Sequence, residues 1–139
     1  HECLDEDNQW HCPKCKQPRQ ANVQLKIQTL PRILIVHLKR FKHTTSGWSK
    51  FTEHIEFPME DFDLSNYTTS PETNTAKYSL FATITHFGGM TKGHYIAFAK
   101  ANHGKVWVEF DDDEVKNIKS AKEFLNEKPY ILFYRRESN

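Results

Sequence analysis

Gly93-His94-Tyr95-Ile96-Ala97-Phe98-Ala99-Lys100-Ala101-Asn102-His103-Gly104-Lys105-Val106-Trp107-Val108-Glu109-Phe110-Asp111-Asp112 reads as two apolar strands, 95–100 and 106–110, joined at the turn signal Asn102-His103-Gly104. A turn centred on Asn102-His103 sets Tyr95 against Phe110, Ala97 against Val108 and Ala99 against Val106 on one side. Ile96 then faces Glu109 and Phe98 faces Trp107 on the other. All but one of these pairs are apolar, so the hairpin is expected to be central and covered on both faces. The same register places His94 opposite Asp111 where the strands leave the core, with Cβ atoms about 4.5–5.5 Å apart. An imidazole held in one tautomer by an acid is the base half of a nucleophile–His–acid triad. A surface histidine beside a solvated acidic turn is the alternative for these two residues alone. Gly93, with Gly88 and Gly89 upstream, favours the first reading because glycine admits a close backbone approach. Three successive carboxylates, Asp111 to Asp113, after an apolar strand also call for a partner or water.

Outward from the hairpin, Tyr78 to Phe87 reads as another strand, and 88–93 as a flexible glycine-bearing loop. Ser120-Ala121-Lys122-Glu123 matches a capping box and marks one short helix before Pro129, after which 130–134 form a last apolar strand. Toward the N-terminus, Val23, Leu25 and Ile27 alternate with polar residues as in a half-buried strand. Ile33 to Leu38 reads as a strand buried on both faces, with His37 a hydrogen-bonded core histidine and Lys39-Arg40 surface or packing positions. Residues 43–49 form a polar loop, 54–57 a short strand stopped by Pro58, and 59–76 a surface excursion. The fold class expected is α+β: mainly antiparallel β-sheet with one short helix.

Composition limits the function. Aromatic residues make up 13% of the 139, which excludes a disordered tail. The net charge is +1, so no global field recruits nucleic acid or an anionic membrane, and the longest apolar runs are too short to span a bilayer. The three cysteines, two of them in Cys12-Pro13-Lys14-Cys15, suit metal binding in a reducing compartment, cytosol or nucleus, better than disulfides.

Gly93-His94-Tyr95-Ile96-Ala97 followed by Trp107, Phe110, Asp111 and Asp112 resembles the His box of ubiquitin-specific proteases. Four further segments resemble the family in its order. They are Leu4-Asp5-Glu6-Asp7-Asn8 with Trp10, Cys12-Pro13 and Cys15; Leu30-Pro31 through Ile33-Leu34-Ile35, His37-Leu38-Lys39-Arg40-Phe41; Phe57-Pro58 with Asp63-Leu64-Ser65; and Pro129-Tyr130 with Leu132-Phe133-Tyr134. Residues 86–90 and 97–100 look nearest to members whose catalytic domain is split by an insertion. The resemblance implies the C-terminal part of a papain-like catalytic domain, with residues 1–20 in the zinc-knuckle fingers and 21–139 in the palm. It implies hydrolysis after the C-terminal Gly of ubiquitin, with ubiquitin and ubiquitinated proteins as partners. His94 is then the general base, Asp111 its orienting acid and Asp112 a supporting group. Tyr95 walls the channel for the ubiquitin tail. Residues 43–49, with Trp48 available to touch ubiquitin, and 88–93, with Gly88, Gly89 and Gly93, are loops that shift to admit it.

The family's nucleophilic cysteine, in an Asn-x-x-Cys segment, has no counterpart here, and Cys3 lies in no such context. The chain alone is therefore expected to be inactive and to need the N-terminal Cys-box half of the same domain. Cys12 and Cys15 are likewise half of a structural Zn²⁺ site, whose other pair lies upstream in the family. A catalytically inactive ubiquitin-binding module is the alternative function. A zinc-ribbon nucleic-acid binder is the third, weakened by the single Cys-x-x-Cys and the lack of a basic stripe.

Overall fold

A computed structural model describes residues 2–69, 76–101, 104, 106–120, 122–125 and 128–137. The polypeptide opens with β1 (Glu2–Leu4), β2 (Trp10–Cys12), β3 (Gln17–Arg19) and β4 (Ala21–Val23). β2 pairs with β3 inside an outer β1–β4 ladder, making a narrow two-stranded finger. Then come β5 (Ile33–His37), β6 (Phe41–Thr44), β7 (Gly47–Lys50), β8 (Phe62–Asp63) and a 3₁₀ turn at Ser65–Tyr67. The second half holds β9 (Lys77–Gly88), β10 (Gly93–Ala101), β11 (Val106–Asp111), β12 (Glu114–Ile118), α1 (Lys122–Leu125) and β13 (Pro129–Arg136). The main sheet runs β12-β11-β10-β9-β13-β5, with β8 added beside β9, and every ladder in it is antiparallel. The expected α+β class holds.

One face of this sheet carries the core. Tyr78, Leu80, Phe98, Leu132 and Tyr134 pack with Leu64, Ile118 and Phe124. The inward alternation on β9 changes from Tyr78 and Leu80 to Thr83 and Thr85, where the pairing with β13 slips between Phe133 and Tyr134. Phe124 of α1 stacks on Phe98 and leans on Trp107, at centroid distances of 5.2 and 4.5 Å. The capping box holds this short helix in place: Glu123 Oε1 accepts the amides of Lys119 and Ser120, and the Glu123 amide donates to the Ser120 carbonyl. Two buried phenols tie the core to loops, Tyr78 to the Pro31 carbonyl and Tyr134 to that of Pro58. Burial pushes the Tyr134 hydroxyl up to about 12, so it stays a donor.

Several expectations are corrected. The hairpin pairs Ala97 with Phe110, Ala99 with Val108 and Ala101 with Val106, two residues from the expected register. Four residues therefore separate its strands; Asn102 and His103, which carried the turn signal, lie outside the described residues. Nor is the hairpin covered on both faces: Tyr95 and Phe110 are 56% and 40% exposed. β5 is an edge strand with only Leu34 and Val36 turned inward, and Ile33 and Ile35 are exposed. His37 is exposed too, edge-on to Tyr130. A run of apolar residues cannot distinguish a strand sandwiched on both faces from one at the border of a sheet.

Arg40, by contrast, is buried, and donates to the carbonyls of Pro129, Phe51 and Glu53. Residues 43–49 belong to the β6–β7 hairpin rather than a loop, closed by Gly47 at φ 111°. Of the strand expected around 23–27 only Val23 lies in one, as the last residue of β4, and Leu25 is 92% exposed. Residues 54–57 form no strand. β12 was not expected, because a polar edge strand has little apolar alternation to show.

Candidate active site

His94 is the second residue of β10 and Asp111 the last of β11. Continued past Ala97↔Phe110, the observed register sets Asp111 beside Ile96, one diagonal step from His94 on the same face. Diagonal neighbours are about 7–8 Å apart in the backbone, which an imidazole and a carboxylate can bridge. They do: His94 Nε2 and Asp111 Oδ1 are 2.5 Å apart. The two side chains are 45% and 32% exposed, so the pair sits at the rim of the sheet.

The contact determines the chemistry of the ring. The hydrogen bond with Asp111 comes first in raising the His94 pKa; desolvation, next in size, opposes it, and the charges of Asp111 and then Asp112 add to the rise. In the neutral ring Nε2 donates to the carboxylate, which leaves Nδ1 as the acceptor. No group among the described residues hydrogen-bonds Nδ1. Asp112 follows at φ 50°, a left-handed conformation that Asp tolerates, and turns the chain from β11 into β12. Ligating atoms of His94, Asp111 and Asp112 lie within 4.8 Å of one another, and exposed acidic groups commonly cluster in this way without a cation.

The glycines differ in why they are there. Gly88 and Gly93 pair across the neck of the β9–β10 hairpin. A Cβ on Gly93 would lie 2.0 Å from His86 Nε2, and one on Gly88, at φ 86°, would lie 2.6 Å from the Lys92 carbonyl oxygen. Gly89, in the loop between them, has open space around it. Tyr95 faces the other side of the sheet from His94 and packs on His86 at 4.6 Å. Trp48 is 57% exposed on the β6–β7 hairpin, against His43.

Cys12 ends β2, and Cys15 follows in the turn, away from the His94 pair in sequence and in the sheet. The Cys15 amide, then the Cys15 side chain and the Lys14 amide, lower the Cys12 pKa by hydrogen bonding. Amides aimed at a sulfur suit a thiolate that binds metal, so the turn fits half of a zinc knuckle. Among the described residues no third His, Cys, Asp or Glu ligand joins them.

A sequence profile of the family described as Ubiquitin carboxyl-terminal hydrolase matches residues 4–134. The chain belongs to that family. Among its relatives, the family members Ubiquitin carboxyl-terminal hydrolase 9 of Arabidopsis thaliana and 15 of Homo sapiens are 41% and 38% identical over 135 and 136 residues. These alignments take in 97% and 98% of this chain but only 15% and 14% of the two hydrolases. The Ubp8(S144N)/Sgf11/Sus1/Sgf73 module of SAGA, in its form with truncated Sgf11, matches with a TM-score of 0.82 and 37% identity, covering 99% of this chain and 30% of that one. The Ubp8 module bound to ubiquitin aldehyde gives 0.81 and 34%, covering 99% and 31%. The chain thus spans a minor part of the length of the proteins it resembles. No helix among its described residues is long and apolar enough to cross a membrane.

Proposed function

We propose that this segment supplies the His/Asp part of a Cys-His-Asp triad in a deubiquitinase. The observation that carries the reading is the half-exposed His94 ring, bonded through Nε2 to Asp111, with no hydrogen bond to Nδ1 among the described residues. In this reading a thiol from the N-terminal Cys-box half of the domain gives its proton to Nδ1. Asp111 holds the ring in the Nε2–H form and stabilises the imidazolium, with Asp112 adding charge. The thiolate attacks the carbonyl of the terminal Gly of ubiquitin, and the proton passes from Nδ1 to the departing amine. Water then cleaves the acyl-enzyme with His94 acting as base again.

Residues 1–20 serve as the fingers and 21–139 as the palm. Tyr95, the neck and turn of the β9–β10 hairpin with Gly88, Gly89 and Gly93, and the β6–β7 hairpin with Trp48 line the path of the ubiquitin tail. Cys12 and Cys15 would hold half of a structural zinc site, which would cross-link the fingers. The thiols stay reduced in cytosol or nucleus, where we place the protein. Partners are ubiquitin, its conjugates and the Cys-box half. A ubiquitin-bound relative of high structural similarity supports the substrate class.

The test mixes the chain with a matching N-terminal half and adds ubiquitin bearing a thiol-reactive C-terminal group. Labelling of the Cys-box thiol that disappears in His94→Ala is the expected result. Labelling of the isolated chain at Cys3 would overturn the assignment of the nucleophile. Ubiquitin binding with no labelling would instead make the assembly an inactive binding module.

A further inference from the structure

Lys50, the last residue of β7, crosses to the neck of the β9–β10 hairpin. Its ammonium lies 2.5 Å from the His86 carbonyl oxygen, 3.0 Å from that of Gly88 and 3.2 Å from His86 Nδ1. Three acceptors match its three N–H donors. The position follows from the sheet: β13 starts at Pro129, opposite Thr85, so among the described residues the end of β9 has no strand on that edge. Lys50 receives the carbonyls that a longer β13 would have taken.

A cation can only donate, so His86 Nδ1 accepts and its Nε2 carries the proton. Burial, reinforced by the charge of Lys50, lowers the His86 pKa and keeps the ring neutral. That ring is 8% exposed, flanked by Phe41, Tyr95 and Tyr130, and its Nε2 lies directly behind Gly93. His86 and Gly93 share one face of the sheet, and His94 leaves the next residue on the opposite face.

We propose that Lys50 and His86 are positioning residues: the ammonium clamps the hairpin neck, the imidazole seats Gly93, and His94 is thereby delivered to Asp111. This rests on the reading of His94 and Asp111 as the acid–base pair. It also ties the hairpin that carries Trp48 to the ring that would move protons, so displacement of one loop is felt at the other.

The experiment is a titration of the imidazole nitrogens by NMR in the ¹⁵N-histidine-labelled chain, comparing wild type with Lys50→Met, Asp111→Asn and the surface control Lys77→Met. Losing a nearby positive charge would by itself raise the His94 pKa, whereas losing the Asp111 contact lowers it, so the direction separates the two effects. The expected result is a fall toward the ordinary value of 6.5 in Lys50→Met and in Asp111→Asn, and no change in Lys77→Met. A fall in Asp111→Asn with none in Lys50→Met would overturn the clamp alone. No fall in Asp111→Asn would overturn the underlying pairing. Lys50→Gln, which keeps an N–H donor for one carbonyl, gives the same reading if the Met variant loses its native amide spectrum.

Discussion

Replacing Gly93 by alanine adds a single methyl group where the structure has no space. The new Cβ would stand 2.0 Å from His86 Nε2, 2.6 Å from the Phe87 carbonyl oxygen and 2.7 Å from His86 Cε1. The ring cannot swing aside easily, because Lys50 holds its Nδ1 and carbonyl while Phe41, Tyr95 and Tyr130 surround it. The Phe87 oxygen is backbone in a paired strand. Overpacking a filled site costs typically about 1–3 kcal/mol, and a clash with a buried ring and a backbone carbonyl belongs at the upper end. Each kcal/mol moves the midpoint of a chain this long by roughly 3–4 °C, so Tm should fall by about 10 °C. Gly89→Ala, with nothing within 4 Å, is the matched control and should change stability by less than about 0.5 kcal/mol. Thermal unfolding followed by circular dichroism measures both. A Gly93→Ala protein that melts with the wild type would show that His86 does not sit behind this residue.

Arg40→Met keeps much of the side-chain volume but strips donors from the carbonyls of Pro129, Glu53 and Phe51. Each buried acceptor left alone costs about 1–3 kcal/mol, partly offset by no longer burying a charge, so a net loss of about 2–4 kcal/mol is expected. An unchanged urea midpoint would contradict it. The His94 pKa is raised by Asp111, so the pair's contribution to stability is fully present below 6.5 and disappears as pH rises through the raised value. Asp111→Asn should therefore destabilise at about pH 5.5 and have little effect near pH 9. His86, whose pKa is lowered, has the opposite dependence, but it is common to both proteins and cancels. Equal destabilisation at the two pH values would refute the ion pair. Zinc retained by the assembled domain after dialysis should be lost in Cys12→Ser; undiminished metal content would place the site elsewhere.

How legible the candidate site was is shown by the hairpin itself. The expected register was two residues off, yet His94 and Asp111 still meet. Side chains alternate with period two, so a slip of two keeps every residue on its face and turns a direct pair into a diagonal one. A slip of one would have separated them. The edge position of β5 was not legible, because Ile33 to Val36 has the same apolar composition at a border as in the middle of a sheet.

The sequence by itself determined the antiparallel class, the capped helix that carries Phe124 and which side of the hairpin carries His94 and Asp111. These depend on the alternation of neighbouring residues and on capping within one turn. Only the tertiary structure decided that Arg40 is buried against Pro129, 89 positions away, and that Lys50 reaches His86, 36 positions away. Their partners are mostly backbone carbonyls, which every residue possesses and no residue type advertises. Such a bond exists only once the sheet has fixed where each strand stops.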